Sequence, residues 1–121
     1  MRILAVEDEP EYLEMLSEVI KTIGHSITIA SNGEEALAIL DRQPVDVIVS
    51  DIKMPVMNGI EFIKKVKALE KYNHIPIVMV STEGKEEDTM RGLALGAKGY
   101  VKKPFQPSDL HAIIEKLYPV Q

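Results

Sequence analysis

The sequence predicts an α/β protein, a doubly wound parallel sheet of five strands with helices on both faces. Three observations carry this expectation. Short apolar runs of strand character alternate five times with segments of helical periodicity over 121 residues, and such alternation produces a parallel sheet with right-handed crossovers. The connections are short, and glycine, proline and asparagine punctuate them. One run, Val45–Ser50, is apolar almost throughout, as expected of a central strand covered on both faces.

Arg2–Val6 reads as the first strand. Pro10 suits the first turn of a helix, where its missing N–H costs nothing. Tyr12, Leu13, Leu16, Val19, Ile20 and Ile23 recur at three- and four-residue spacing and form one apolar helical face. Gly24 is a natural stop. Ser26–Ala30, rich in β-branched residues, is the second strand. Asn32 can cap a second helix running to about Arg42, with Ala36, Leu37 and Leu40 inward. Val45–Ser50 is the third strand, followed by a loop, Asp51–Asn58, in which Asn58-Gly59 favours a tight turn. Phe62, Ile63, Val66 and Leu69 mark the third helix, and Ile75–Val80 the fourth strand. Ser81–Lys85 is a loop, and Met90, Leu93 and Ala94 line the fourth helix up to Gly96. Gly99–Lys102 is the fifth strand and Lys103–Gln106 a loop. Leu110, Ile113, Ile114 and Leu117 carry the last helix, which ends at Tyr118 before Pro119.

Five such units in a single domain over residues 1–121 fit the flavodoxin-like strand order 2-1-3-4-5, taken from the known doubly wound folds. Composition agrees with a globular chain: 45% hydrophobic and 27% charged residues. With no cysteine, a disulfide framework, thiolate metal sites and a cysteine nucleophile are excluded. A net charge of −5 argues against a nucleic-acid-binding face. No apolar run approaches the roughly 18 residues of a membrane span, and the acidic run Glu7-Asp8-Glu9 so near the start does not read as a signal peptide. The expected location is cytoplasmic.

In sheets of this order, ligands bind at the carboxyl ends of the strands where the order reverses. The first strand ends in Glu7-Asp8 and the third in Asp51, so three carboxylates converge there. Close carboxylates repel, and one would take up a proton unless a cation relieved the conflict. Hard oxygen ligands suit Mg²⁺, although acidic loop ends are common on any α/β protein. Ser81-Thr82 ends the fourth strand and Lys103-Pro104 follows the fifth. The lysine would serve equally as a structural counter-ion. Together with a hydroxyl and a metal it also makes a phosphoryl-binding constellation, in which an aspartate carboxylate can be the nucleophile.

These residues resemble the receiver domain of two-component response regulators. The match comprises Glu7-Asp8, the run Ser50-Asp51-Ile52-Lys53-Met54-Pro55, Asn58-Gly59, Ser81 and Lys103-Pro104-Phe105, in order across nearly the whole chain. Ser81-Thr82-Glu83-Gly84-Lys85 is most similar to the stand-alone chemotaxis type. The resemblance implies that Asp51 accepts a phosphoryl group from a histidine kinase. It implies Mg²⁺ on Asp8, Asp51 and the backbone carbonyl of Lys53, with Glu7 acting through a metal-bound water. Ser81 and Lys103 would hold phosphoryl oxygens, Tyr100 would be a rotating aromatic that reports Ser81's position, and the Lys103–Pro104 bond would be cis. The output would go to a protein partner, the flagellar motor or another effector, through the face of the fourth helix, fifth strand and fifth helix. Two residues depart from the commonest pattern: Glu7 stands where the family often has aspartate, and Lys53 places a cation beside the site.

Lys53 and Glu83, each two residues beyond a functional position, are expected to flank the mouth of the site and form a charged gate. His25, His74 and His111 lack metal-ligand spacing and read as surface or half-buried residues. Met54, Met57 and Phe105 read as packing residues. A flavin phosphate would be repelled by Glu7-Asp8-Glu9, no G-x-G-x-x-G follows the first strand, and an aspartyl phosphatase would want a second carboxylate where Lys53 stands. The remaining rivals are a degenerate receiver that binds partners without phosphorylation and a receiver excised from a larger transcriptional regulator.

Overall fold

Five strands and five helices alternate in the computed structural model, which describes residues 1–54, 56–82 and 84–117. The strands are β1 (Arg2–Val6), β2 (Ser26–Ala30), β3 (Val47–Asp51), β4 (Ile77–Ser81) and β5 (Gly99–Lys102). The helices are α1 (Pro10–Thr22), α2 (Gly33–Arg42), α3 (Gly59–Ala68), α4 (Glu86–Leu95) and α5 (Pro107–Leu117). Every strand pair is parallel, and the order is β2-β1-β3-β4-β5, as the sequence predicts. The register sets Val6 beside Ser50, Asp51 beside Val80 and Ser81 beside Lys102. The strands therefore finish nearly level, and the polar residues at their ends share one rim.

Alternate side chains of the central strands β1, β3 and β4 feed two apolar layers. Leu4, Ile48, Ile77 and Met79 pack with Phe62 and Ile63 on one face. Ile3, Ala5, Val49 and Val78 pack with Leu16, Ile20, Leu110 and Ile114 on the other. β3 and β4 are buried along their whole length, which is why their sequences read as continuous apolar runs rather than alternating ones. The Asn32 side chain accepts the Glu35 N–H at the start of α2, and Asn58 with Glu61 forms a reciprocal capping box at α3. Among the described residues no helix is long and apolar enough to cross a membrane.

Several expectations shift. The third strand starts at Val47, not Val45, because Asp46 is engaged with Arg2: its carboxylate accepts the Arg2 backbone N–H at 2.7 Å and the guanidinium Nε at 3.0 Å. The fourth starts at Ile77, not Ile75, since Pro76 has no N–H for the ladder. Asp51 and Ser81 end strands rather than open loops. In α4 Thr89 and Gly92 are buried and Leu93 packs half-buried against the core as expected, whereas Met90 and Ala94 are exposed. A Cβ at Gly92 would run into the Met79 sulfur, so α4 packs closely over that side chain, which would have to shift for anything larger than glycine. Leu69 caps α3 and is exposed. His25 is buried, its Nδ1 2.7 Å from the Met1 amino group. Tyr118 lies outside the described residues.

The rim at the amino ends of the strands gathers a different set of groups. Arg2, Gln43, Asp46, Lys71, Tyr72 and His74 surround a cavity of about 290 Å³, and the Tyr72 hydroxyl donates to Asp41.

Candidate functional site

The carboxyl rim brings four acids and one lysine together. Glu7 follows β1 directly, its N–H bonded to the Ala30 carbonyl at 3.0 Å, and it is wholly buried. Asp8 and Glu9 come next and are exposed, just ahead of Pro10 at the first turn of α1. Asp51 closes β3 at 1% exposure, its Oδ1 accepting the Lys53 N–H at 3.2 Å. Lys103 leaves β5 through a cis bond to Pro104, and its N–H reaches back to the Ser81 carbonyl at 2.7 Å. The cis geometry matches expectation.

The Lys103 ammonium donates to Glu7 Oε2 at 3.1 Å, Glu9 Oε1 at 2.6 Å and Asp51 Oδ2 at 3.1 Å. Burial alone would lower its pKa, but Glu9, Asp51 and Glu7 override that and hold it above the usual lysine value. The acids answer in the opposite sense. Burial, reinforced by the Asp51 charge, pushes Glu7 up to about 7 against the pull of the Glu9 N–H and Lys103. Burial likewise raises Asp51, opposed by Lys103 and the Lys53 N–H. The causes differ: burial leads for the two acids, while for Lys103 the three carboxylates outweigh burial, so one ammonium only partly offsets the cost of burying Glu7 and Asp51.

That imbalance is what a divalent cation would relieve. Glu7, Asp8, Glu9 and Asp51 each offer a carboxylate oxygen, and these four atoms lie within 4.8 Å of one another. Glu7 Oε1 faces Nζ at 3.0 Å yet accepts no well-directed hydrogen bond. An all-oxygen, anionic donor set fits a hard cation such as Mg²⁺. Asp8, Glu9, Lys53 and Met54 line an open cavity of about 530 Å³, so the exposed half of the acidic group borders open space.

The other expected residues sit to one side. The Ser81 hydroxyl is buried and bonded to Thr89 Oγ1 at 2.8 Å; among the described residues no hydrogen bond joins it to the carboxylates. Tyr100 is 47% exposed. Ser81, Thr89, Met90, Tyr100 and Lys102 border a cavity of about 150 Å³, so there is open space between the tyrosine and the serine. Lys53 is exposed, and its expected gate partner Glu83 lies outside the described residues. Sequence reasoning did not single out Glu9, Thr89 or Tyr12, whose ring lies 4.3 Å from Lys103 Nζ. For Glu9 a signal was present, since it continues the acidic run Glu7-Asp8.

Comparison with known proteins points one way. A family model described as response regulator receiver domain matches residues 3–115. A chemotaxis protein CheY homolog of Campylobacter jejuni is 36% identical over 117 residues, covering 95% of this chain and 90% of the relative. The solved structure of the chemotaxis response regulator CheY4 of Vibrio cholerae superposes with a TM-score of 0.88 at 38% identity, over 96% of this chain and 97% of that one. The receiver domain of the sensor histidine kinase PA1611 from Pseudomonas aeruginosa, solved with a magnesium ion in its active-site cleft, has a TM-score of 0.86 at 27% identity, over 96% and 95% of the two chains. The chain spans about half the length of the transcriptional regulators it also matches, 55% and 52% for two of them.

Proposed function

We propose that the chain, which belongs to the response regulator receiver domain family, is a phosphorylation-operated switch with Asp51 as its phosphoacceptor. The observation that carries the reading is the placement of Asp51. Its carboxylate is buried, held 3.1 Å from the Lys103 ammonium, and grouped with the carboxylates of Glu7, Asp8 and Glu9, the last two of which line an open cavity.

The donor in this reading is a phosphohistidine on a histidine kinase. An Asp51 carboxylate oxygen attacks phosphorus in line, the P–N bond to the donor imidazole breaks, and the leaving nitrogen keeps the electron pair and takes a proton from solvent. Lys103 is already within hydrogen-bond reach of Asp51 and turns one N–H to a phosphoryl oxygen as charge builds there. Ser81 takes another oxygen by giving up Thr89. Asp8, Asp51 and the Lys53 carbonyl are the groups to hold Mg²⁺, with Glu7 engaged through water. When bound, the ion would supply positive charge against the phosphoryl oxygens and offset the excess of carboxylates; that the PA1611 receiver holds magnesium in its active-site cleft supports a magnesium site here.

Ser81's movement opens the space beside it to Tyr100. The face of α4, β5 and α5 is then the output surface, and an effector protein reads it. Lys53, with Glu83, gates the return attack of water. Residues 1–121 act as a single receiver domain in this scheme.

Phosphoramidate with Mg²⁺ should add one phosphoryl group that is labile to hydroxylamine. Undiminished labelling of Asp51→Asn would remove Asp51 as the acceptor, and unchanged Mg²⁺ affinity in Asp8→Asn would reduce the acidic pair to a solvated loop.

A further inference from the structure

The Lys103 ammonium has neighbours of two kinds. Glu7, Glu9 and Asp51 take its hydrogen bonds, and an ammonium has only three N–H donors to give. Among the described residues it also faces the Tyr12 ring, 4.3 Å from Nζ to centroid. With the donors committed, the ring acts through the negative electrostatic potential of its face. Tyr12 is itself held: its ring packs on that of Phe105, centroids 5.3 Å apart and tilted by 38°. Phe105 is buried and stands two residues beyond Lys103, on the far side of Pro104.

A lysine needs such a support here. Its ammonium rides on a flexible four-carbon stem, and its shortest contact is to Glu9, a carboxylate half exposed to solvent. The ring offers a contact that does not compete for an N–H, so it stays in place when a hydrogen bond is exchanged.

We infer that Tyr12 is a positioning residue for phosphotransfer, its ring face holding the Lys103 ammonium over Asp51 while one hydrogen bond passes from a carboxylate to a phosphoryl oxygen. The inference rests on Asp51 being the phosphoacceptor.

The test compares Tyr12→Phe, which keeps the ring, with Tyr12→Leu, which keeps the apolar bulk alone. With phosphoramidate and saturating Mg²⁺, Y12F should transfer within about twofold of the unaltered protein, and Y12L should be slower by roughly 2- to 30-fold, the range a cation–π contact spans. The second readout needs no phosphodonor. In NMR spectra the Lys103 ε-methylene protons should be shifted upfield by the ring in the unaltered protein and in Y12F, and the shift should vanish in Y12L.

Equal rates in Y12L and the unaltered protein would overturn the inference, as would a loss in Y12F as large as in Y12L, which would place the effect on the hydroxyl. Absence of the upfield shift in the unaltered protein overturns it even if Y12L does not fold. Failure of the unaltered protein to accept phosphate would instead count against the Asp51 reading, and the NMR arm would still decide the position of the ring.

Discussion

Ser81 and Thr89 share a hydrogen bond of 2.8 Å, and the Thr89 hydroxyl in turn donates to the Lys85 carbonyl at 2.9 Å. With Thr89's proton so committed, Ser81 is the donor of the pair. The serine that the proposed mechanism sends to a phosphoryl oxygen is thus fastened to α4 when no phosphoryl group is present.

Thr89→Val keeps the shape of the side chain and removes that acceptor. The hydrogen bond contributes about 0.5–1.5 kcal/mol, so affinity for the phosphoryl mimic beryllofluoride should rise by roughly 2- to 10-fold. NMR titration in the presence of Mg²⁺ measures it. Unchanged or weaker affinity would mean that the Ser81–Thr89 bond does not oppose activation.

Asp51→Asn should stabilise the protein at neutral pH. It removes one of three carboxylates competing for one ammonium and keeps the side-chain volume. The expected gain is roughly 1 kcal/mol, read as a thermal midpoint a few degrees higher. Saturating Mg²⁺ should narrow the gap, because it binds only the folded unaltered protein well and stabilises it by mass action. A lower midpoint for D51N would show that Asp51 is well compensated without metal.

Gly59 allows α3 to start directly against the end of β3. A Cβ there would lie 2.6 Å from the Ile52 Cα and against the Asp51 carbonyl oxygen, and neither backbone atom can step aside cheaply. Gly59→Ala should destabilise by about 1–3 kcal/mol and slow phosphorylation by moving the Asp51 backbone. Urea unfolding and phosphoramidate labelling test the two effects; a stable G59A with an unchanged rate would show that β3 yields freely at this point.

Asp46 gives the molecule an acid-sensitive tie. The Arg2 side chain, then its backbone N–H, hold the Asp46 carboxyl down to about 2, against roughly 3.9 when unfolded. A depressed folded value means stability present above pH 4 and lost as the pH falls through 2. The pair is partly exposed, so solvent screening limits the effect to roughly 1 kcal/mol. Thermal midpoints of the unaltered protein and Asp46→Asn should differ at pH 6 and converge near pH 2. A constant difference across that range would place Asp46's contribution in packing.

Lys53→Ala should speed loss of the phosphoryl group severalfold if the exposed ammonium shields the mouth of the site. Phosphate release with Mg²⁺ in excess measures this, and an unchanged rate removes Lys53 from the gate.

The fold and the central acids were legible for a simple reason. Glu7, Asp8, Asp51 and Lys103 each stand at the end of a strand, and in a parallel sheet all strand ends of one polarity share a rim. What was not legible acts across elements. Tyr12 meets Lys103 from α1, and Thr89 meets Ser81 only because α4 turns that face inward. Met90 differs for the same reason: its spacing suits an apolar stripe, but α4 turns Thr89 and Gly92 toward the sheet and leaves Met90 exposed. The start of β3 is hidden from local pattern because Asp46 engages Arg2, a partner 44 residues away.

The amino rim, with Arg2, Asp46, Tyr72 and His74 around its own cavity, lies a full strand length from the acids. A sheet of this kind has a wired end and a quiet end. A fluorophore attached at exposed Gln43 or His74 would ride on the quiet end. It would report tumbling and complex formation in real time, leaving the carboxylates, Lys103 and the α4–β5–α5 face untouched. The same geometry suits this chain as the detector head of a genetically encoded sensor, with its reporter attached away from both the proposed trigger and the proposed readout.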